Sequence, residues 1–134
     1  MPKTASSKSP VTSAHVDAIA GEIIAIADAV WKHAEIAFKE TKSVEIMKNA
    51  ITKRGFRIVQ DGIGDLSTAF VAEYGKGKPV VGILAEYDAL PGLGNAAQPS
   101  RAPGPTGTAT GHACGHNLIG AGAWGAAEIG RAHV

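Results

Sequence analysis

The sequence predicts an α/β fold in which helices flank a sheet. Three observations point there: an amphipathic helical period in the first third, a nearly all-apolar run at Val80-Val81-Gly82-Ile83-Leu84-Ala85, and acids, Glu86 and Asp88, where that run ends. An uninterrupted apolar run suits a strand covered on both faces, at the centre of a helix-flanked sheet. Open α/β sheets place ligand sites at such strand ends.

Residues 1–12 read as a flexible polar tail and 13–134 as one domain. Val16, Ile19, Ala20, Ile23, Ile24, Ala27, Val30, Trp31 and Ala34 recur at helical spacing, with Thr12 or Ser13 as N-cap. Val44, Met47, Ala50 and Ile51 mark a second helix, started by Thr41 and closed by Gly55. Phe56–Val59, Thr68–Tyr74 and Val80–Tyr87 read as strands. Asp61-Gly62 and Gly64-Asp65 supply turns, and Gly75-Lys76-Gly77-Lys78 a hairpin-like connection. Residues 91–111 form a Gly/Pro-rich loop, either site-forming or poorly ordered, since most of the chain's 17 glycines follow Pro91. Leu118–Ala132 reads as a helix whose Ala121, Gly122, Gly125 and Ala126 permit close packing on a sheet.

Composition narrows the function. A net charge of +1 with interspersed signs argues against a nucleic-acid or anionic-membrane footprint. One cysteine excludes an internal disulfide, and no apolar run is long enough to span a bilayer. The N-terminal residues lack the apolar core of a secretory signal, so a cytoplasmic location is the default expectation.

The chemistry concentrates in Gly111-His112-Ala113-Cys114-Gly115-His116-Asn117. A thiolate and an imidazole two residues apart suit a zinc-like ion, and the position before a helix favours the thiolate. His112 reads as a further ligand, a partner behind the ligands, or a loop histidine. Glu86 and Asp88 read either as solvated acids or as carboxylates that orient a metal-bound histidine. Gly92-Leu93-Gly94-Asn95-Ala96-Ala97 matches a dinucleotide-binding fingerprint in outline, but prolines follow it where that motif needs a helix. His15, His33 and His133 are scattered, and packing or capping is their expected role.

Three ordered motifs together resemble a family. They are Trp31 to Ser43, Glu86-Tyr87-Asp88-Ala89-Leu90-Pro91-Gly92-Leu93, and Gly111 to Asn117. They are similar to those of the zinc/manganese amidohydrolase branch of the aminoacylase and carboxypeptidase-G2-type metallopeptidases, and most similar to its aminobenzoyl-glutamate utilisation group. Asn117, where many relatives carry Asp, favours that group. The resemblance implies the N-terminal part of a helix-flanked mixed-sheet catalytic domain, with the lid domain used for dimerisation absent. It implies Cys114 and His116 as ligands in a two-ion zinc or manganese site, Asp88 as a supporting, ligand-orienting residue, and His112, Glu86 and Asn117 as candidates behind the ligands. It implies hydrolysis of an amide bond in N-acyl or aminobenzoyl amino acids or dipeptides. The family's general base, a glutamate of a Glu-Glu pair, and its later ligands have no counterpart before Val134, and Glu128 has no acidic neighbour. The expectation is therefore a truncated domain, inactive alone. The alternative is a non-catalytic partner-binding module or a subunit of a hetero-oligomer.

Overall fold

The structure, a computed structural model, describes residues 10–132; the greater part of the expected tail, and His133, lie outside them. Helix α1 (Pro10–His33) is followed by α2 (Thr41–Lys53), strands β1 (Arg57–Ile63) and β2 (Leu66–Glu73), two short strands β3 (Leu90–Pro91) and β4 (Thr110–Gly111), and α3 (His116–Arg131). α1 starts at Pro10, so Thr12 and Ser13 lie inside its first turns and not ahead of them. Proline at a helix start costs no hydrogen bond, because that amide has no partner in any case.

The apolar stripe of α1 does most of what its spacing predicts: Ile19, Ala27 and Val30 turn inward, Ile26 joins them, and Ile24 stays 59% exposed. Ile19, Ile26, Ala27 and Val30 form one core with Met47 and Ile51 of α2 and Ala121 and Trp124 of α3. Val30 is fully shielded from solvent, a burial worth roughly 1.5–3 kcal/mol. Small residues let α3 close in. A side chain at Gly125 would run into Ile23 of α1, and one at Gly120 would press on the Glu86 carbonyl. The small face of α3 therefore packs mainly on a helix rather than on a sheet, and Gly122 and Ala126 face solvent.

β1 and β2 form an antiparallel hairpin through Gly64-Asp65, with irregular register near Val59 and Gly62. Gly62 takes a left-handed φ of 77° inside β1, so Asp61-Gly62 marks a bulge, not a turn. β3 and β4 make a second two-stranded sheet. Among the described residues the architecture is thus mixed α/β, with three helices and two small antiparallel sheets.

The predicted central strand is not formed. Residues 74–88 carry no strand pairing, and Val80, Val81 and Leu84 are 83%, 81% and 88% exposed. The reason is a lack of neighbours: β1 and β2 pair with each other, and β3 pairs with β4. An apolar run becomes a central strand only when strands lie on both its sides. For the same reason Gly75–Lys78 is not a hairpin turn.

The 91–111 loop is folded. The Asn95 side chain donates to the Ala96 carbonyl and accepts from the Ala102 amide at 2.9 Å, and Ala96 in turn donates to Ala102. No helix begins directly after Gly94, as the dinucleotide motif would require; the next is α3 at His116. No helix among the described residues is long and apolar enough to cross a membrane.

Candidate functional site

The three sequence motifs converge on one dipeptide, Ala89-Leu90. From the first motif, the Glu35 carbonyl accepts the Ala89 amide at 2.7 Å, and Ile36 bridges Ala89 in parallel. From the third, Gly111 pairs with Leu90. Gly111 stands so close to the Leu93–Gly94 backbone that only a hydrogen fits. Four residues on, Gly115 turns the chain with φ 80° and accepts the Leu118 and Ile119 amides, which launches α3 at His116.

This framework places His116 against two carboxylates. Its Nδ1 lies 2.8 Å from Asp88 Oδ1, and its Nε2 lies 3.2 Å from Glu86 Oε2. Asp88 is largely buried, with its side chain 23% exposed, while Glu86 is 58% exposed. The Asp88 contact is therefore the stronger orienting one, since water screens the other.

His112 sits beside this pair and is half-buried. Both its ring nitrogens are shielded from water and lack a partner in hydrogen-bonding geometry. Burial pushes its imidazole below the ordinary histidine range, against the opposing pull of the nearby Val30 and Asp88 backbone. Cys114 is exposed and its thiol is free. Asn117 is buried and points elsewhere, donating to the Ala27 carbonyl of α1 at 3.3 Å. Glu86 and Asp88 thus each touch His116, His112 adjoins this group, and Cys114 and Asn117 join none of its bonds. Among the described residues no three His, Cys, Asp or Glu side chains converge as a formed metal cage. By residue type, the Cys114 thiol and the His116 and His112 imidazoles are donors of the kind zinc-like ions take.

Two carboxylates that sequence reasoning passed over hold the surroundings. Glu35 accepts the Ser43 amide and hydroxyl at 2.8 Å, the Lys42 amide at 3.1 Å and the Thr41 hydroxyl at 3.1 Å. Burial pushes its carboxyl up, but the amides of Ser43 and Lys42 and the two hydroxyls outweigh this and leave it below the ordinary value. The available signal was Thr41-Lys42-Ser43 opening α2, hydroxyls that suit a helix start. Glu40 is buried and accepts the Thr68 hydroxyl at 2.6 Å, while Tyr87 donates to the Thr68 carbonyl. Glu128 is buried and held by Arg131, with Arg54 at 3.6 Å.

No family model and no solved structure matches this chain. Two curated proteins do. The chain is 42% identical over 102 residues to a p-aminobenzoyl-glutamate hydrolase subunit of Escherichia coli (strain K12), covering 76% of this chain and 21% of that protein. It is 30% identical over 130 residues to Xaa-Arg dipeptidase of Homo sapiens, covering 87% of this chain and 24% of that protein. The chain spans less than a quarter of the length of either relative.

Proposed function

With the chain homologous to amidohydrolases of the aminoacylase and carboxypeptidase-G2 type, we propose that these residues supply part of the site of a metal-dependent amidohydrolase. The substrates are N-acyl or aminobenzoyl amino acids or dipeptides. The observation that carries the reading is the Asp88–His116 pair at 2.8 Å. A carboxylate on one imidazole nitrogen fixes the ring and raises the basicity of the other, as in histidines that ligate metals.

Cys114 and His116 would hold the ion, zinc or manganese, with Asp88 orienting His116. Glu86, exposed and 3.2 Å from Nε2, would have to give up that contact for the nitrogen to take an ion. Burial, which holds the His112 imidazole below the ordinary histidine range, favours its use as a metal donor or as a hydrogen-bonding neighbour. The ion, when bound, supplies a Lewis acid for the amide carbonyl and an acidified water. Two protein donors fall short of the three or four that zinc sites use. These 134 residues on their own are therefore expected to hydrolyse aminobenzoyl-glutamate poorly, and robust turnover by the purified chain would overturn that expectation.

Cobalt(II) titration tests the metal reading. A thiolate-to-cobalt absorption band is expected in the chain and is expected to vanish in Cys114→Ser. A band of unchanged intensity in that variant would remove Cys114 as a ligand.

A second reading has its own support in Val80, Val81 and Leu84, which are left in water. A partner protein would cover them, and the relative from Escherichia coli is itself named as one subunit of a hydrolase. Elution of the chain as a lone monomer that takes up metal would count against this reading.

A further inference from the structure

The segment between α1 and α2 belongs to the first motif, touches no candidate ligand, and yet is fixed at both ends by one residue. The Glu35 side chain receives two amides and two hydroxyls at the start of α2. Its main-chain carbonyl receives the Ala89 amide, one peptide away from Asp88. On either side of Glu35 the backbone is held in conformations that non-glycine residues adopt only under constraint: Ala34 has φ 43° and Phe38 φ 66°. Ala34, Ser43 and Ala89 are 3%, 0% and 2% exposed, so water does not compete at these joints.

We infer that Glu35 is a positioning residue: by clamping the start of α2 it holds Ile36 against Ala89 and so sets the Asp88 carboxylate against His116. The inference rests on the proposed role of His116 as a donor. Without the clamp, the 34–40 segment relaxes from its left-handed turns, the Glu35 carbonyl leaves the Ala89 amide, and Asp88 loses its fixed distance to Nδ1. Ser43 contributes less, because its amide remains when its hydroxyl is removed.

The test compares the wild-type chain with Glu35→Gln, Glu35→Ala and Ser43→Ala. Glutamine keeps one acceptor oxygen but turns an NH2 toward amide donors, so it weakens the clamp without emptying the space. Two readouts follow the joint itself. Amide hydrogen exchange at Ala89 is expected to rise about tenfold more than exchange in the β1–β2 hairpin, which reports general loss of stability. Side-chain nitrogen spectra at one fixed alkaline pH are expected to change from a single His116 tautomer to a mixture. Ser43→Ala is expected to leave both readouts near wild type. If Glu35→Ala fails to fold, Glu35→Gln decides alone. Exchange at Ala89 that merely follows the hairpin, or a His116 tautomer unchanged in Glu35→Gln, overturns the inference. Cobalt(II) titration of the wild-type chain separates the two ideas. Absence of a thiolate band would remove the metal reading, while the Ala89 and His116 readouts, taken without metal, still decide the role of Glu35.

Discussion

Replacing Gly111 by alanine tests the convergence of the motifs most directly. A Cβ there would lie 2.8 Å from the Leu93 carbonyl carbon and 2.9 Å from Gly94 Cα, with the Leu93 oxygen closer still. All three are backbone atoms, so no rotamer change relieves the clash. Forcing an extra methyl into a packed site costs about 1–3 kcal/mol. Freeing the Gly92 amide from the Ala109 carbonyl, the next bond along the β3–β4 ladder, adds about 1 kcal/mol. A loss of about 2–4 kcal/mol in urea unfolding is expected from these two costs together. The matched control is Gly122→Ala in α3, where a Cβ meets nothing within 4 Å. Alanine is the better helix former there by about 0.5–1 kcal/mol, so that variant is expected to gain stability. A Gly111→Ala chain within about 0.5 kcal/mol of wild type, beside a stabilised Gly122→Ala chain, would refute the close approach and with it the tie between the acidic segment and the Cys-Gly-His motif.

Three further outcomes are expected. Val30→Ala, at a position with no exposed surface, lowers stability by about 2–3 kcal/mol, read as a lower urea midpoint at an unchanged slope. The Tyr87 hydroxyl is pushed up to about 12, first by burial and then by the Glu40 charge. Because the folded value exceeds the ordinary 10.0, its stabilisation is complete below pH 10 and is lost as pH rises toward 12. An absorbance titration is expected to register this late ionisation, and Tyr87→Phe to lose less stability over that interval. Glu35 has the opposite sign. Its folded value lies below the ordinary 4.5, so its contribution is present above pH 4.5 and is lost as pH falls through the folded value. The stability gap between wild type and Glu35→Gln is expected to shrink in acid; a gap independent of pH would show that the carboxylate charge plays no part in the clamp.

The helices were legible because their residues repeat with a period that only a helix satisfies: Ile19, Ala27 and Val30 in α1, Val44, Met47 and Ile51 in α2. The β2 strand and its Gly64-Asp65 turn were legible from local chemistry as well. Val80–Ala85 was not, because periodicity describes what a segment would bury and says nothing about whether neighbouring strands are there to bury it. The motif containing Cys114 and His116 could be found by residue type, and the acids beside it by their place after an apolar run. The meeting of His116 with Asp88 depends on contacts between residues 28 apart, which no local pattern encodes. Glu35 was missed for a related reason. A cap six to eight residues upstream of the groups it serves reaches them through a left-handed turn at Phe38, and that residue type does not advertise such a turn.

The open run before Glu86 also governs how the protein behaves in a tube. Val80, Val81, Ile83 and Leu84 are apolar, exposed and unpaired along their backbone. Such a stretch is a template on which a second molecule can add a strand, and uncharged β-prone segments of this length nucleate ordered aggregates. Pro79 and Glu86 flank it and act as gatekeepers at its two ends. The run that delivers two carboxylates to His116 is thus also the segment at which a second molecule is expected to pair, and Val81→Lys is expected to raise the concentration at which the chain stays in solution.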